Sequence, residues 1–154
     1  MFKKIVIPVF LTSLLTIFMS IPANASPPRI IYSLHIQLNG APIESDSTPP
    51  YINTATNTAY VPLRVISEGM GQSVSWDKNK QQVTIQSNDG TVMTMTIGST
   101  TAYVNGEAKI LPSAPEMPFM RVMVPIRFVS EVLGATVNAS AKDGATYVDI
   151  SFKP

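Results

Sequence analysis

The amino-acid sequence predicts an α+β domain: an antiparallel-rich curved sheet with two short helices, built from two similar halves. The first observation is a repeated phrase, because "YVPLRVISEGMG" at residues 60–71 returns as "MVPIRFVSEVLG" at residues 123–134. The second is an alternation of apolar and polar residues in stretches such as "TVMTMTIG", which is typical of half-buried strands. Two copies of a phrase are too few for a solenoid and indicate two related halves of one domain.

The first 25 residues are predicted to be a secretory signal peptide. Lys3 and Lys4 precede an apolar run at residues 5–21, and Ala23 and Ala25 follow it with small-residue spacing. This pattern predicts cleavage between Ala25 and Ser26. A membrane anchor is the competing reading, but the run of about 17 residues is at the short limit for a span. We therefore expect a secreted protein, extracellular or associated with the cell wall, with no membrane contact after cleavage.

The expected mature chain, residues 26–154, has a length that suits a single domain. Loss of Lys3 and Lys4 changes the formal net charge from +1 to −1, since nine basic and ten acidic residues remain. This scattered, nearly neutral charge predicts no nucleic-acid partner. The chain contains no cysteine, so no disulfide stabilises it.

Each copy of the phrase predicts a short helix that begins at a proline and ends at a glycine. Proline suits the first helical position, and glycine readily adopts the left-handed conformation that ends a helix. The predicted helices are only about nine residues long and must pack on a sheet, because isolated helices of that length are unstable. The motif residues are Pro62, Arg64, Glu68 and Gly71 in the first copy, and Pro125, Arg127, Glu131 and Gly134 in the second.

The remaining elements are predicted to be strands joined by hairpins. "IQLNG" at residues 36–40 corresponds to "AYVNG" at residues 102–106, and Asn-Gly is the strongest short hairpin dipeptide. Further turns are predicted at residues 78–80 and 88–90. The internal repeat thus extends over about residues 34–86 and about residues 102–152.

These segments resemble the copper amine oxidase N-terminal-like domain, also called the stalk domain. The resemblance covers about residues 34–152 and rests on the doubled "VPLRVISE" and "VPIRFVSE" motifs, with "IGS" and "VNG" between them. It implies an exported, non-catalytic module at bacterial cell surfaces whose ligand is undefined. The second half departs from the pattern, because Ala139-Ser140 stands where the first half has Trp76-Asp77.

The resemblance does not imply oxidase chemistry, and no cofactor or metal site is predicted. A copper site of the oxidase type needs several imidazoles, and the chain has a single histidine, His35. His35 alternates with Leu34, Ile36 and Leu38, so we expect it to face solvent.

Several other side chains are candidates for ligand binding or catalysis. Arg64 with Glu68, and Arg127 with Glu131, have the i, i+4 spacing of surface ion pairs on a helix. Trp76 shares a strand face with Val74, which favours core packing. The candidates for exposed ligand-binding groups are Tyr51, after Pro49-Pro50, and Phe119 and Met120, in a proline-bearing loop. For Phe119 and Met120 the competing prediction, which the sequence favours slightly, is that they fold back onto the sheet.

Two functional hypotheses follow from the sequence. The first is a secreted, non-catalytic binding or structural module at the cell surface or wall, whose partner is either a cell-wall polysaccharide or a surface protein. The alternative is a small extracellular hydrolase that acts on cell-wall polymer through Glu68, Glu131 or Asp77, since glycoside hydrolysis uses paired carboxyl groups. The oligomeric state is left open.

Overall fold

A computed structural model describes residues 29–44 and 48–153 of the chain. The predicted signal peptide lies outside these residues. No helix in the described ranges has the length and apolar character needed to cross a membrane. The helices are α1 (Leu63–Gly69) and α2 (Ile126–Val132), and the strands are β1 (Ile30–Ile31), β2 (Leu34–Leu38), β3 (Ala41–Pro42), β4 (Tyr51–Asn53), β5 (Thr58–Pro62), β6 (Ser73–Asp77), β7 (Gln82–Gln86), β8 (Val92–Thr96), β9 (Thr101–Val104), β10 (Glu107–Ile110), β11 (Met123–Pro125), β12 (Thr136–Lys142) and β13 (Ala145–Ser151).

The described residues form mostly antiparallel sheets with two helices, as the predicted α+β class requires. The strand orders are β1-β4-β5-β11, β10-β9-β8-β7-β6 and β12-β13-β2-β3, so three sheets stand where the sequence predicted one curved sheet. The pairing of β2 with β13 is parallel, and the other pairs are antiparallel. That parallel pair joins strands from opposite ends of the chain, which local sequence patterns do not predict.

The predicted hairpins are confirmed at the backbone level. Asn39 and Gly40 have φ angles of 50° and 81°, and Asn105 and Gly106 have φ angles of 51° and 83°. Two consecutive positive φ angles are the mark of the type I′ turn, which Asn-Gly adopts at low cost. The predicted turns at residues 78–80 and 88–90 also connect strands, β6 to β7 and β7 to β8 respectively.

Both helices are present, but they differ from the prediction at their first turn. Each has seven residues, and Pro62 and Pro125 lie at the N-cap instead of the first helical position. The reason is that β5 and β11 run directly into the helices, so both prolines keep extended ψ angles of 120° and 107°. The Leu63 N–H donates to the Val122 carbonyl at 2.9 Å, which satisfies one of the N–H groups that have no partner within the helix.

Gly71 and Gly134 follow the two helices with φ angles of 70° and 83°, so the predicted glycine stops are confirmed. One apolar core then joins both helices to all three sheets. Its members include Ile66 from α1 and Met70 directly after it, Val129 from α2 and Leu133 directly after it, Val61 and Val124 from the first sheet, Val83, Ile85, Met93 and Met95 from the second, and Ile36, Val148 and Ile150 from the third.

Candidate functional site

A groove lies between α1, the outer strand β6 and the segment that precedes β11. We call it the Trp76 groove; it has a volume of about 710 Å³. It is lined by Glu44, Thr48, Pro62, Leu63, Arg64, Val65, Glu68, Gly69, Val74, Trp76, Val83, Met120, Arg121 and Val122. Apolar surface and charged groups therefore meet in one concave site, which is the usual character of a binding pocket.

The wall formed by β6 carries two partly exposed apolar side chains, Val74 at 40% and Trp76 at 39%. The prediction that they pack in the core is wrong. Both do share a strand face, as predicted, and Trp76 lies opposite the buried Val83 in the β6–β7 pair. They remain partly exposed because β6 is the last strand of its sheet, so no further strand flanks them.

The rim of the groove next to α1 is charged. The Arg64 Nε atom lies 3.6 Å from the Glu68 Oε1 atom, so the predicted i, i+4 ion pair forms here, with about three quarters of each side chain exposed. An exposed pair of this kind contributes little stability, about 0.2–1 kcal/mol. Arg121 and Glu44 lie elsewhere on the lining. Cationic and anionic side chains are thus both available to form hydrogen bonds with a ligand at the mouth of the groove.

Beside this rim, Phe119 and Met120 form an exposed apolar tip. Each side chain is 88% exposed, and they have φ angles of 50° and 59°. Consecutive left-handed conformations are costly for bulky residues, and such strain concentrates at functional positions. The tip is held from below, because Glu116 and Met123 exchange backbone hydrogen bonds of 3.0 and 2.8 Å. Met120 also lines the groove, so the tip and the groove form one continuous surface.

Tyr51, expected to be exposed, is buried at 4%; this expectation is wrong. Tyr51 begins β4, and its ring stacks on that of Tyr60 with centroids 5.2 Å apart. Its hydroxyl donates to the Glu116 Oε2 atom at 2.7 Å. Burial, and next the hydrogen bond to Glu116, raise the pKa of Tyr51 well above its ordinary value. Tyr51 therefore holds the loop that leads to the Phe119–Met120 tip.

Tyr60 secures the same loop at a second point. Its hydroxyl lies 2.6 Å from the Ser113 Oγ atom and donates to the Ala114 carbonyl at 2.8 Å. Burial raises the pKa of Tyr60 as well. Sequence reasoning missed this anchor and the role of Glu116. The available signal was the recurrence of tyrosine nine residues apart on two strands that a hairpin brings together.

A second groove of about 320 Å³ lies beside α2, and we call it the Ala139 groove. Its lining includes Asn57, Thr58, Ala59, Pro125, Ile126, Arg127, Val137, Ala139 and Val148. In the repeat these residues correspond one by one to Met120, Arg121, Val122, Pro62, Leu63, Arg64, Val74, Trp76 and Val83 of the Trp76 groove. The same motif positions thus line both grooves, but the indole and the thioether of the first are an alanine methyl and an asparagine amide in the second.

The carboxylates of the hydrolase hypothesis are not brought together in one groove. Glu68 lines the Trp76 groove, whereas Glu131 lines neither of the two grooves described here. Asp77 accepts hydrogen bonds from the backbone N–H groups of Asn79 and Lys80 at 2.9 and 3.1 Å, so it shapes the turn after β6. Arg127 lines the Ala139 groove.

His35 is exposed, as predicted, and its ring stacks on that of Tyr147 with centroids 4.9 Å apart. Across residues 29–44 and 48–153, no three His, Cys, Asp or Glu side chains cluster in an arrangement able to hold a metal ion.

Comparison with known proteins places the chain in a family through its sequence. A search of curated proteins finds no match. A family profile described as the copper amine oxidase N-terminal domain matches residues 37–148, which include both copies of the repeated phrase and most of the residues that line the two grooves. Because that match spans well over half of the sequence, the chain belongs to the copper amine oxidase N-terminal domain family.

Proposed function

We propose that this protein is an exported, non-catalytic binding module of the bacterial cell surface or wall, and that the Trp76 groove is its binding site. The observation that carries the proposal is that Trp76, Val74 and Met120, all substantially exposed, line one groove, with the exposed Phe119 next to Met120 in the chain. Single exposed apolar side chains are normal on a protein surface, but a group of large ones marks a site for a partner. The charged side chains at the rim orient the bound partner.

A non-catalytic role is supported by family membership, because the matching family is the N-terminal domain of copper amine oxidases. We also propose that the domain consists of two similar halves, as the sequence repeat suggests. The matched linings of the two grooves support this, and so does the pairing of Val61 with Val124, which are equivalent residues of the two phrases. The half that keeps tryptophan is then the half adapted to binding.

The groove suits either of the two partners predicted from the sequence. An indole face stacks on the C–H face of a sugar ring, and Arg64, Arg121 and Glu44 offer hydrogen bonds to hydroxyl groups, which favours a cell-wall polysaccharide. Aromatic residues, methionine and arginine are also enriched in protein interfaces, which favours a surface protein. The same first experiment separates these cases.

That experiment is co-sedimentation of residues 26–154 with purified peptidoglycan and with whole cells, at low and high salt. The proposal predicts that the wild type sediments with cells and that Trp76→Ala and Met120→Ala reduce the bound fraction. Ile110→Ala is the matched control, because Ile110 is 74% exposed but lies on the opposite outer strand of the same sheet. Binding to peptidoglycan indicates a polysaccharide partner, and binding to cells alone indicates a surface protein.

Three results contradict the proposal. The first is a loss of binding in Ile110→Ala equal to that in Trp76→Ala, and the second is no binding to either material. The third is release of soluble fragments from wall polymer that Glu68→Gln abolishes, which would support the hydrolase alternative. Export is tested separately: the intact mass of protein from the culture medium is expected to correspond to a chain that begins at Ser26.

A further inference from the structure

We propose that β6 is a self-association edge, on which β6 of a second copy pairs antiparallel about a two-fold axis at Ser75. The inference goes beyond ligand binding and requires no ligand. Within the described residues β6 pairs only with β7, so its other side presents unpaired backbone N–H and C=O groups. Such an edge is a template for another strand.

β6 lacks the features by which proteins usually protect an outer strand. Those features are prolines, inserted lysines, bulges and very short length. β6 has five residues, contains neither proline nor lysine, and pairs with β7 residue by residue from Ser73 to Asp77 without a bulge. Four of its five residues are exposed, and Val74 and Trp76 are apolar.

The other outer strands of the described sheets are protected or offer little apolar surface. β1 and β3 have two residues each, β3 contains Pro42, and β11 has three residues and ends at Pro125. β10 carries Glu107 and Lys109, which form an ion pair of 2.8 Å. β12 is long, but the residue corresponding to Trp76 is Ala139, and the strand ends at Lys142. The unprotected apolar edge is therefore specific to β6.

The sequence of β6 is complementary to itself when two copies pair about Ser75. Trp76 of one copy then lies opposite Val74 of the partner subunit, and the same contact repeats across the axis. Aromatic and β-branched residues form favourable cross-strand pairs, worth roughly 0.2–1 kcal/mol each. Asp77 meets Ser73 of the partner subunit, so no like charges oppose each other. A contact of this kind is isologous and closes as a dimer.

A shift of the axis by one position loses this fit. Residues that lie directly opposite each other on two paired strands have their side chains on the same face of the sheet. Trp76 and Val74 of the two copies therefore share a face only if the two-fold axis passes through a residue. An axis at Trp76 would place Val74 against Lys78 of the partner subunit, and an axis at Val74 would place Trp76 against Gln72 of the partner subunit. The axis at Ser75 alone pairs all five residues of β6 with β6.

This pairing keeps the two Trp76 grooves on one face of the joined sheet. The two strands join in the plane of the sheet, and opposite residues share a face, so the Trp76 grooves of the two copies lie side by side on the same face. A long polymer or an extended protein partner could then contact both grooves, which raises avidity without any new contact.

The test is disulfide cross-linking through a single introduced cysteine, which is unambiguous because the natural chain has no cysteine. At the proposed axis the two copies of residue 75 face each other at about 4.5–5.5 Å between Cα atoms, within the range that a disulfide spans. Ser75→Cys is therefore expected to form dimers on mild oxidation at least about tenfold faster than Ser140→Cys, because pairing creates a high effective concentration. Ser140 is a matched control, since it is an exposed serine on the outer strand β12.

Sedimentation velocity of the unmodified chain gives the independent reading. The wild type is expected to shift from monomer to dimer as its concentration rises, and Ser75→Lys, which places two ammonium groups face to face, is expected to remain monomeric. Ser140→Lys is the control for the substitution itself. Equal cross-linking of the two cysteine variants, or a wild type that stays monomeric at millimolar concentration, would overturn the proposal. A Ser75→Lys protein that dimerises like the wild type would also overturn it.

Discussion

Val61 lies directly opposite Val124 in the antiparallel pair of β5 and β11. These valines are equivalent residues of the two repeated phrases, and both are almost completely buried. Each precedes a proline that leads into a helix, so this one pair connects the starts of α1 and α2. The contact joins the two copies of the motif at the centre of the core.

Val61→Ala and Val124→Ala are each expected to lower the free energy of unfolding by roughly 1–3 kcal/mol, because each removes buried methyl groups and leaves a cavity. Since the two side chains are cross-strand neighbours, the double variant should depart from additivity by at least about 0.5 kcal/mol. Urea denaturation measures the free energy of unfolding of the two single variants and of the double variant. The partly exposed Val92 gives the control, Val92→Ala, with a change near zero. Additive effects of the two core changes would contradict the contact.

Ser67 and Ser130 are buried serines at equivalent positions of α1 and α2, and their hydroxyl oxygens have no hydrogen-bond partner among the described residues. A buried hydroxyl without a partner is destabilising, so Ser67→Ala and Ser130→Ala are each expected to raise the free energy of unfolding by about 1 kcal/mol. Thermal and urea unfolding check this, with exposed Ser75→Ala as the control. A loss of stability in both variants would show that the hydroxyls are satisfied.

The hydrogen bond from Tyr51 to Glu116 should stabilise the loop below the Phe119–Met120 tip. Tyr51→Phe removes the donor and leaves a carboxylate beside an apolar ring, at an expected cost of about 1.5–3 kcal/mol. Glu116→Gln keeps an acceptor for the hydroxyl and should cost less. Urea denaturation gives the magnitudes, and amide hydrogen exchange at residues 117–121 should rise in Tyr51→Phe. Unchanged exchange there would contradict the anchoring role.

Stability should fall at alkaline pH because of the same tyrosines. Burial raises the pKa of Tyr51 and of Tyr60 in the folded state. Above about pH 10 the unfolded chain releases these phenolic protons while the folded chain retains them, so the free energy of unfolding decreases as pH rises. Below that pH the contribution is fully present.

Denaturant unfolding between neutral pH and about pH 11 tests this alkaline loss. The Tyr51→Phe, Tyr60→Phe double variant should show a flatter decline than the wild type. Tyr103→Phe, at a ring that is 50% exposed, is the control and should follow the wild type. A double variant with an unchanged slope would show that other groups cause the decline.

The sequence predicted the local elements well because their causes are local. Asn39-Gly40 and Asn105-Gly106 specify their turns through backbone preference, and Gly71 and Gly134 end the helices for the same reason. The three-sheet arrangement was beyond such reasoning, because β2 pairs with β13 across more than 100 residues. Hydrophobic periodicity indicates which residues of a strand share a face, but it does not indicate which other strand will pair with that strand.

The candidate site shows the same division. Periodicity put Val74 and Trp76 on one face, but their exposure depends on β6 being the last strand of its sheet. Tyr51 follows two prolines in a polar stretch, yet pairing with Tyr60 buries it. Phe119 and Met120 lie in a loop that was predicted to be partly exposed, and each is 88% exposed, so the favoured prediction that they fold back onto the sheet is wrong.

The central claim is that the Trp76 groove binds the partner, and Trp76 is the only tryptophan in the chain. Its fluorescence therefore reports on the surroundings of this one side chain, and a fixed protein concentration keeps any self-association constant. The most direct measurement is quenching of Trp76 emission by acrylamide at fixed protein concentration, with and without solubilised cell-wall polymer or the captured surface protein. We expect the partner to shift the emission and to shield the indole from acrylamide. A partner that binds, as judged by co-sedimentation, but leaves both the emission and the quenching unchanged would contradict the account.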